Sequence, residues 1–179
     1  FWGMTDKNIV RLLRLNLQTG FKILLKEYKE PIYWHIRRLT VNHEDAQDAT
    51  QETFIRVYRS FGSYDSSRPL KAWLYRIATN EALRIIGRRH PAVDLDNCGE
   101  AMETLADRYL DLSDVEGVNL QKAINSLPLK QRLTFNLRYY DELGFDEIAR
   151  ITDSTPDSAK ANWHNAKTKV YDYLKQIYG

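Results

Sequence analysis

The sequence predicts an all-α fold with two helical domains joined by an acidic linker, and three observations carry that prediction. Apolar residues recur at helical spacing through most of the chain, while β-branched alternating runs are scarce. Only eight Gly and five Pro punctuate 179 residues, so helices joined by short turns are the economical reading. Charge is unevenly spread. Residues 1–90 hold 16 Lys/Arg against 9 Asp/Glu, residues 91–119 one Arg against 8 acids, and residues 120–179 nine bases against 7 acids. Two basic segments of +7 and +2 thus flank a segment of −7, a pattern that suits a polyanionic partner and a separating linker. With 43% hydrophobic residues the chain can bury one or two modest cores.

The elements follow in order. Residues 19–40 place Phe21, Leu24, Leu25, Tyr28, Ile32, Ile36 and Leu39 on one face, with Pro31 expected to break or kink the helix. Residues 42–61 form the next, burying Ala46, Ala49, Phe54, Val57, Tyr58 and Phe61. "GSYDSSRP" (62–69) reads as a turn-rich loop. The third helix, from Leu70, packs Trp73, Leu74, Ile77, Ala78 and Ile85 and ends in Arg88, Arg89 and His90, cations suited to a helix C-terminus. Residues 91–119 read as the acidic linker. The second domain, 120–179, begins with a short helix over 120–127 stopped by Pro128. A helix over 130–143 follows, with Leu133, Phe135, Leu137 and Tyr140 for burial, then a third over 144–151.

Several classes are disfavoured. Cys98 is the single cysteine, so no internal disulfide forms and a reducing cytoplasmic location is the default. No apolar run approaches a membrane span. The opening "FWGM" lacks the regions of a signal peptide, and Met4 is the expected natural start. The four His (His35, His43, His90, His164) show no metal-ligand spacing, and no phosphate loop or nucleophile motif is present, so neither a metal nor a cofactor is expected.

The segment "STPDSAKANWHNAKTKVYDYLK" (154–175) carries the sharpest local signal. Thr155 is a good N-cap, Pro156 suits the first helical position, and Asp157 favours the positive helix end. Ala159, Trp163, Ala166, Val170 and Leu174 recur as the buried stripe. The other face carries Lys160, Ala161, His164, Asn165 and Thr168, with Lys167 slightly round and Ser158 in the first turn. A short helix precedes it across a tight turn, the layout of a helix-turn-helix. Lys160 and Lys167 suit phosphates, small Ala161 allows close approach, and His164 and Asn165 suit base edges. The turn lacks a glycine, and Asp153 is the residue that tolerates positive φ there. Helical bundles that bind no DNA share this layout, so the segment alone leaves both readings open.

The two halves together are more specific. "DAQDATQETFIRVYRSF…WLYRIATNEAL" followed across the linker by "LPLKQRLTFNLRYYDELGFDEIARITDSTPDSAKANWHNAKTKV" resembles a bacterial sigma factor of the extracytoplasmic-function (ECF) type, which keeps the second and fourth conserved regions. The resemblance covers nearly the whole chain in the right order. It implies that the first helix of the motif docks on core RNA polymerase through Asp45, Asp48, Gln51, Glu52 and Arg56; a solvated face with Glu52–Arg56 ion pairing is the plainer reading. It implies that the 62–69 loop and the next helix hold the melted minus-ten element, with Tyr64, Ser66, Ser67, Arg68, Lys71, Arg76 and Asn80 as candidates and Arg84, Arg88 and Arg89 on phosphates. Trp73 is a tempting stacking platform, but its spacing to Ile77 favours the core. The last domain would read the minus-thirty-five element in duplex promoter DNA through the helix from Pro156. An anti-sigma factor is the implied regulator. Arg84, Gly87 and Asn162 depart from the common family pattern, so no promoter sequence is read. The acidic linker is expected to cross the polymerase in a basic channel, and replacing its acids should alter initiation. A stand-alone helix-turn-helix regulator is the main rival; an enzyme and a non-DNA helical adaptor are weaker ones.

Overall fold

A computed structural model describes residues 4–40, 42–91 and 115–179 of the chain. Most of the acidic linker, 92–114, lies outside the described residues, as does Cys98. Eight α-helices are present among the described residues: α1 (Asp6–Leu15), α2 (Leu17–Leu39), α3 (His43–Ser60), α4 (Leu70–Arg89), α5 (Val115–Asn125), α6 (Leu129–Tyr139), α7 (Phe145–Ile151) and α8 (Pro156–Tyr178). A 3₁₀ turn, Phe61–Ser63, leads into the loop before α4.

Local chemistry sets the ends. Thr5 caps α1, accepting from the Asn8 N–H, and Ile9 and Leu13 are buried one turn apart. This helix precedes the first one read from the sequence. Asn16 both ends α1 and caps α2, its Oδ1 accepting from the Thr19 N–H at 3.1 Å. The two helices then approach so closely that a Cβ on Gly20 would lie 2.4 Å from the Leu13 nitrogen.

Pro31 does not break α2, which runs unbroken to Leu39. Proline removes the donor for the Glu27 carbonyl, but the buried stripe Leu24, Tyr28, Ile32, Ile36 and Leu39 continues across it, and Pro31 itself faces solvent. Asn42 caps α3 by accepting from the Asp45 N–H at 2.9 Å. The helix expected from residue 120 instead begins five residues earlier, at Val115.

The four N-terminal helices enclose one core, with α4 buried along Leu74, Tyr75, Ala78, Ala82, Ile85 and Ile86. In the second domain Ala123, Ile124, Leu127, Phe135, Ala166 and Val170 form a separate cluster, with Trp163 and Leu174 packed against it. Leu133, Leu137, Leu143, Ile148, Ile151 and Ala159 do not join that cluster. They continue the first domain's core, as α7 lies along α4 and α6 meets α2. The two domains therefore share one apolar seam. Two expected core residues are in fact exposed: Tyr58 at 37%, beside the buried stripe of α3, and Tyr140 at 37%, just past the last residue of α6. No described helix is long and apolar enough to cross a membrane.

Candidate nucleic-acid and polymerase interfaces

The α3 face divides into paired and open positions. Asp45 is buried, accepting from Arg89 Nη1 at 2.7 Å and lying 2.9 Å from His90 Nε2. Arg89 also donates to Asp48, and these two carboxylates hold its guanidinium above the usual arginine range. Asp45 thus anchors the C-terminus of α4 rather than presenting its carboxylate to solvent. Gln51 and Glu52 are exposed. Arg56 pairs with Glu81 of α4 rather than with Glu52, and Arg84 adds a second cation at 3.6 Å from the same buried carboxylate. Beside Gln51 runs a groove between α2 and α3, of about 940 Å³. Phe21, Leu25, Phe54, Ile55 and Tyr58 form its apolar part, and Lys22, Lys29 and Arg59 its basic part. The sequence reading missed this groove. Its signal is Ile55, the apolar position that the predicted stripe of α3 leaves over; Tyr58 is counted into that stripe.

The loop before α4 is held by aromatic packing. Tyr64 is 6% exposed, stacks on Phe61 at 5.8 Å, meets Trp73 at 4.9 Å, and donates its hydroxyl to the Arg68 carbonyl. Its phenol is pushed up by burial. Tyr64 therefore props the loop from beneath instead of offering a ring to a base, and Trp73 is half-buried in the same cluster. Ser67 donates to Asp65 through its N–H at 2.9 Å and its hydroxyl at 2.8 Å, which lowers the Asp65 carboxyl. Ser66 accepts from Arg14, and Arg68 is exposed.

Along α4, Asn80 and Arg88 are exposed. Lys71 and Arg76 turn to the second domain: Lys71 Nζ donates to the Asp141 carbonyl at 2.5 Å, and Arg76 lies 3.2 Å from Asp153. Behind them is a buried polar group that the sequence did not signal. Tyr75 donates to Asp141 at 2.7 Å, and His35 Nε2 meets the Thr79 hydroxyl at 2.8 Å. Burial lowers His35 to about 3, keeping the ring neutral, and burial raises the Asp141 carboxyl.

The third surface is built as the sequence indicated. Between α7 and α8 the Ser154 N–H returns to the Ala149 carbonyl at 2.8 Å, and Asp153 takes a left-handed φ of 51°. Thr155 caps α8, accepting from the Ser158 N–H at 3.1 Å. Trp163 packs inward on Phe135 at 5.4 Å, and Lys167 lies 5.1 Å over its ring. Ser158, Lys160, Ala161, His164, Asn165 and Lys167 are all exposed on one side. A rigid, capped helix with a small residue between cations and amides can enter a major groove. Among the described residues no group of His, Cys, Asp and Glu could hold a metal.

These two domains are those of a class. The family model for sigma-70 region 2 matches residues 24–91, and that for sigma-70 region 4 matches residues 117–170. The chain is 31% identical to the ECF RNA polymerase sigma factor SigW of Bacillus subtilis, over 97% of this chain and 99% of the relative. It is 29% identical to the ECF RNA polymerase sigma-E factor of Salmonella typhimurium, over 97% of this chain and 96% of that one. Its fold matches CnrH, solved in complex with the cytosolic domain of CnrY, with a TM-score of 0.72 at 18% identity over 96% of this chain and 97% of that chain. It also matches the sigma factor RpoE from Bartonella quintana, solved with the anti-sigma factor NepR, with a TM-score of 0.69 at 21% identity over 87% and 96%. The chain belongs to the ECF sigma factors of RNA polymerase. As such it directs the polymerase to promoters in transcription initiation.

Proposed function

We propose a division of labour within that role. Residues 1–90 bind core polymerase and the minus-ten element, the acidic segment ahead of α5 links the two domains, and α5–α8 read the minus-thirty-five element. The polymerase contact lies on the open part of the α3 face, at Gln51 and Glu52, with Asp48 and Arg56 at its edges through their pairs with Arg89 and Glu81, while Asp45 acts from behind by fixing Arg89. The melted strand meets Ser66, Ser67, Arg68, Lys71, Arg76 and Asn80, with Arg84, Arg88 and Arg89 along the phosphates. Tyr64 shapes the loop for them. The duplex element meets Ser158, Lys160, Ala161, His164, Asn165 and Lys167. The chain performs no catalysis of its own, works in the cytoplasm with the polymerase, and is held in check by an anti-sigma factor.

The observation that carries this reading is the unobstructed α8 face, presented by a helix-turn-helix whose other side is packed. Transcription in vitro from a pool of genomic fragments, with purified core polymerase with and without this protein, tests it. Discrete start sites that appear only with the protein are expected. Their absence with competent core enzyme would overturn the assignment and favour a stand-alone DNA-binding regulator.

A further inference from the structure

Between α3 and α4 a carboxylate lies where an apolar side chain would pack. Glu81 is 5% exposed, and the α4 residues about one turn to either side of it, Ala78 and Ile85, belong to the core. Two cations from different helices reach it. Arg56 of α3 pairs through Nε with Glu81 Oε1, and Arg84, one turn along α4, places Nη1 3.6 Å from the same oxygen. The two guanidiniums stay half in water, with side chains 45% and 55% exposed. Two shallow cavities, of about 400 Å³ and 390 Å³, share Arg56, Glu81 and Arg84 as walls. One extends to Asn80, the other to Gln51 and Arg88.

We propose that Glu81 is a positioning residue for both interfaces at once: its carboxylate holds Arg56 at the edge of the polymerase contact and Arg84 on the phosphate path, while touching neither partner itself. The proposal rests on the reading that places those two arginines against polymerase and promoter.

Stability alone does not call for this acid. Replacing a buried ion pair by well-packed apolar residues often leaves a protein as stable or more so. An apolar residue cannot, however, fix two guanidiniums. A free surface arginine samples many rotamers and loses that freedom when it meets a partner. A carboxylate at its base removes part of that loss beforehand, and the planar guanidinium keeps further N–H donors for an outside acceptor. Here the carboxylate is dry and the guanidiniums are wet. Each arginine can therefore keep Glu81 and still offer donors, Arg56 to a protein acceptor and Arg84 to a phosphate oxygen. Sharing also couples them, because a carboxylate drawn toward one cation moves away from the other.

The test uses holoenzyme assembled from the full chain and core polymerase, on promoters found from their start sites. Core affinity is read by competition with labelled wild type, and promoter affinity at saturating core over a range of salt. Glu81→Gln keeps the shape and removes the charge. It should weaken core binding about threefold and promoter binding about tenfold, alike on every promoter, with a salt slope shallower by up to about one. A residue that only held the fold would move the unfolding midpoint and leave the slope of the folded protein alone. Beside an intact Glu81, Arg84→Ala should make the slope shallower and Arg56→Ala should lower core affinity. In the Glu81→Gln background each should cost at most about half as much. Glu81→Leu, which fills the site with an apolar side chain, takes the place of Glu81→Gln if circular dichroism shows the latter to be unfolded. A folded variant at Glu81 with unchanged core affinity or unchanged salt slope overturns the shared role. Arginine effects of equal size in both backgrounds overturn it too. If Arg56→Ala and Arg84→Ala change nothing beside an intact Glu81, the placement of the two arginines falls, and the proposal with it.

Discussion

The two helices that face DNA in the proposed complex, α4 and α8, solve opposite problems. The α8 cations Lys160 and Lys167 point to solvent, and only the helix's far side is packed. The α4 cations are nearly all engaged: Arg84 with Glu81, Arg89 with Asp45 and Asp48, Lys71 and Arg76 with the second domain. A duplex groove can be met by a rigid surface that waits unoccupied. A single strand exists only after melting, so the surface for it can be used for folding contacts until then. Changes in α4 should therefore register first in stability, and changes in α8 first in promoter binding.

The largest break in that contrast is expected from the double change Arg56→Ala and Arg84→Ala, which leaves the buried Glu81 carboxylate without a counter-charge. Stranding a buried charge in this way costs about 3 kcal/mol, measured as a lower urea midpoint.

Acid acts next. His35 titrates at about 3 in the fold against an ordinary 6.5, because burial excludes the charged ring. The unfolded chain binds the extra proton, so stability is complete above pH 6.5 and falls as pH drops toward 3. At pH 5 the loss is about thirtyfold in the folding constant, about 2 kcal/mol. Arg38, Tyr75, Lys71 and Asp141 face this ring or its neighbours. The raised Asp141 carboxyl acts in the opposite direction, taking up its proton more readily in the fold. The contribution of His35 is therefore read as the difference in pH slope between wild type and His35→Gln.

Lys160→Glu should leave the unfolding midpoint unchanged and weaken promoter binding by holoenzyme about tenfold, with a shallower salt dependence. The smallest effect is expected from Thr155→Ala, which removes the α8 cap for about 1 kcal/mol, seen as a small drop in thermal midpoint. A stability loss from Lys160→Glu, or none from the double change at Arg56 and Arg84, would dissolve the contrast.

What the sequence made legible follows the same division. The α7–α8 unit was readable because its information is local: Thr155, Pro156 and Asp157 start the helix, Asp153 makes the turn, and a stripe of period 3.6 separates inside from outside. Even α1 carried its signal in Thr5, Asp6, Ile9 and Leu13, although no helix was read there. The misplacements came from contacts distant in sequence. Asp45 looked like part of an open acidic face until α4 brought Arg89 and His90 beside it. Tyr64 looked like a loop aromatic until Phe61 and Trp73 enclosed it. Pro31 looked like a break because proline's local cost is readable and the packing that offsets it is not. The meeting of Lys71 and Asp141, seventy positions apart, leaves no trace in composition or period.

Asn16 is the one residue between α1 and α2, and Gly20 locks the pair by backbone contact. Such a joint has no slack, so it fixes the phase of everything after it. One residue added or removed there turns α2 by about 100° relative to α1, carrying Leu24, Tyr28 and Ile32 off the core as a block. At this corner a single codon sets the phase of the whole first domain.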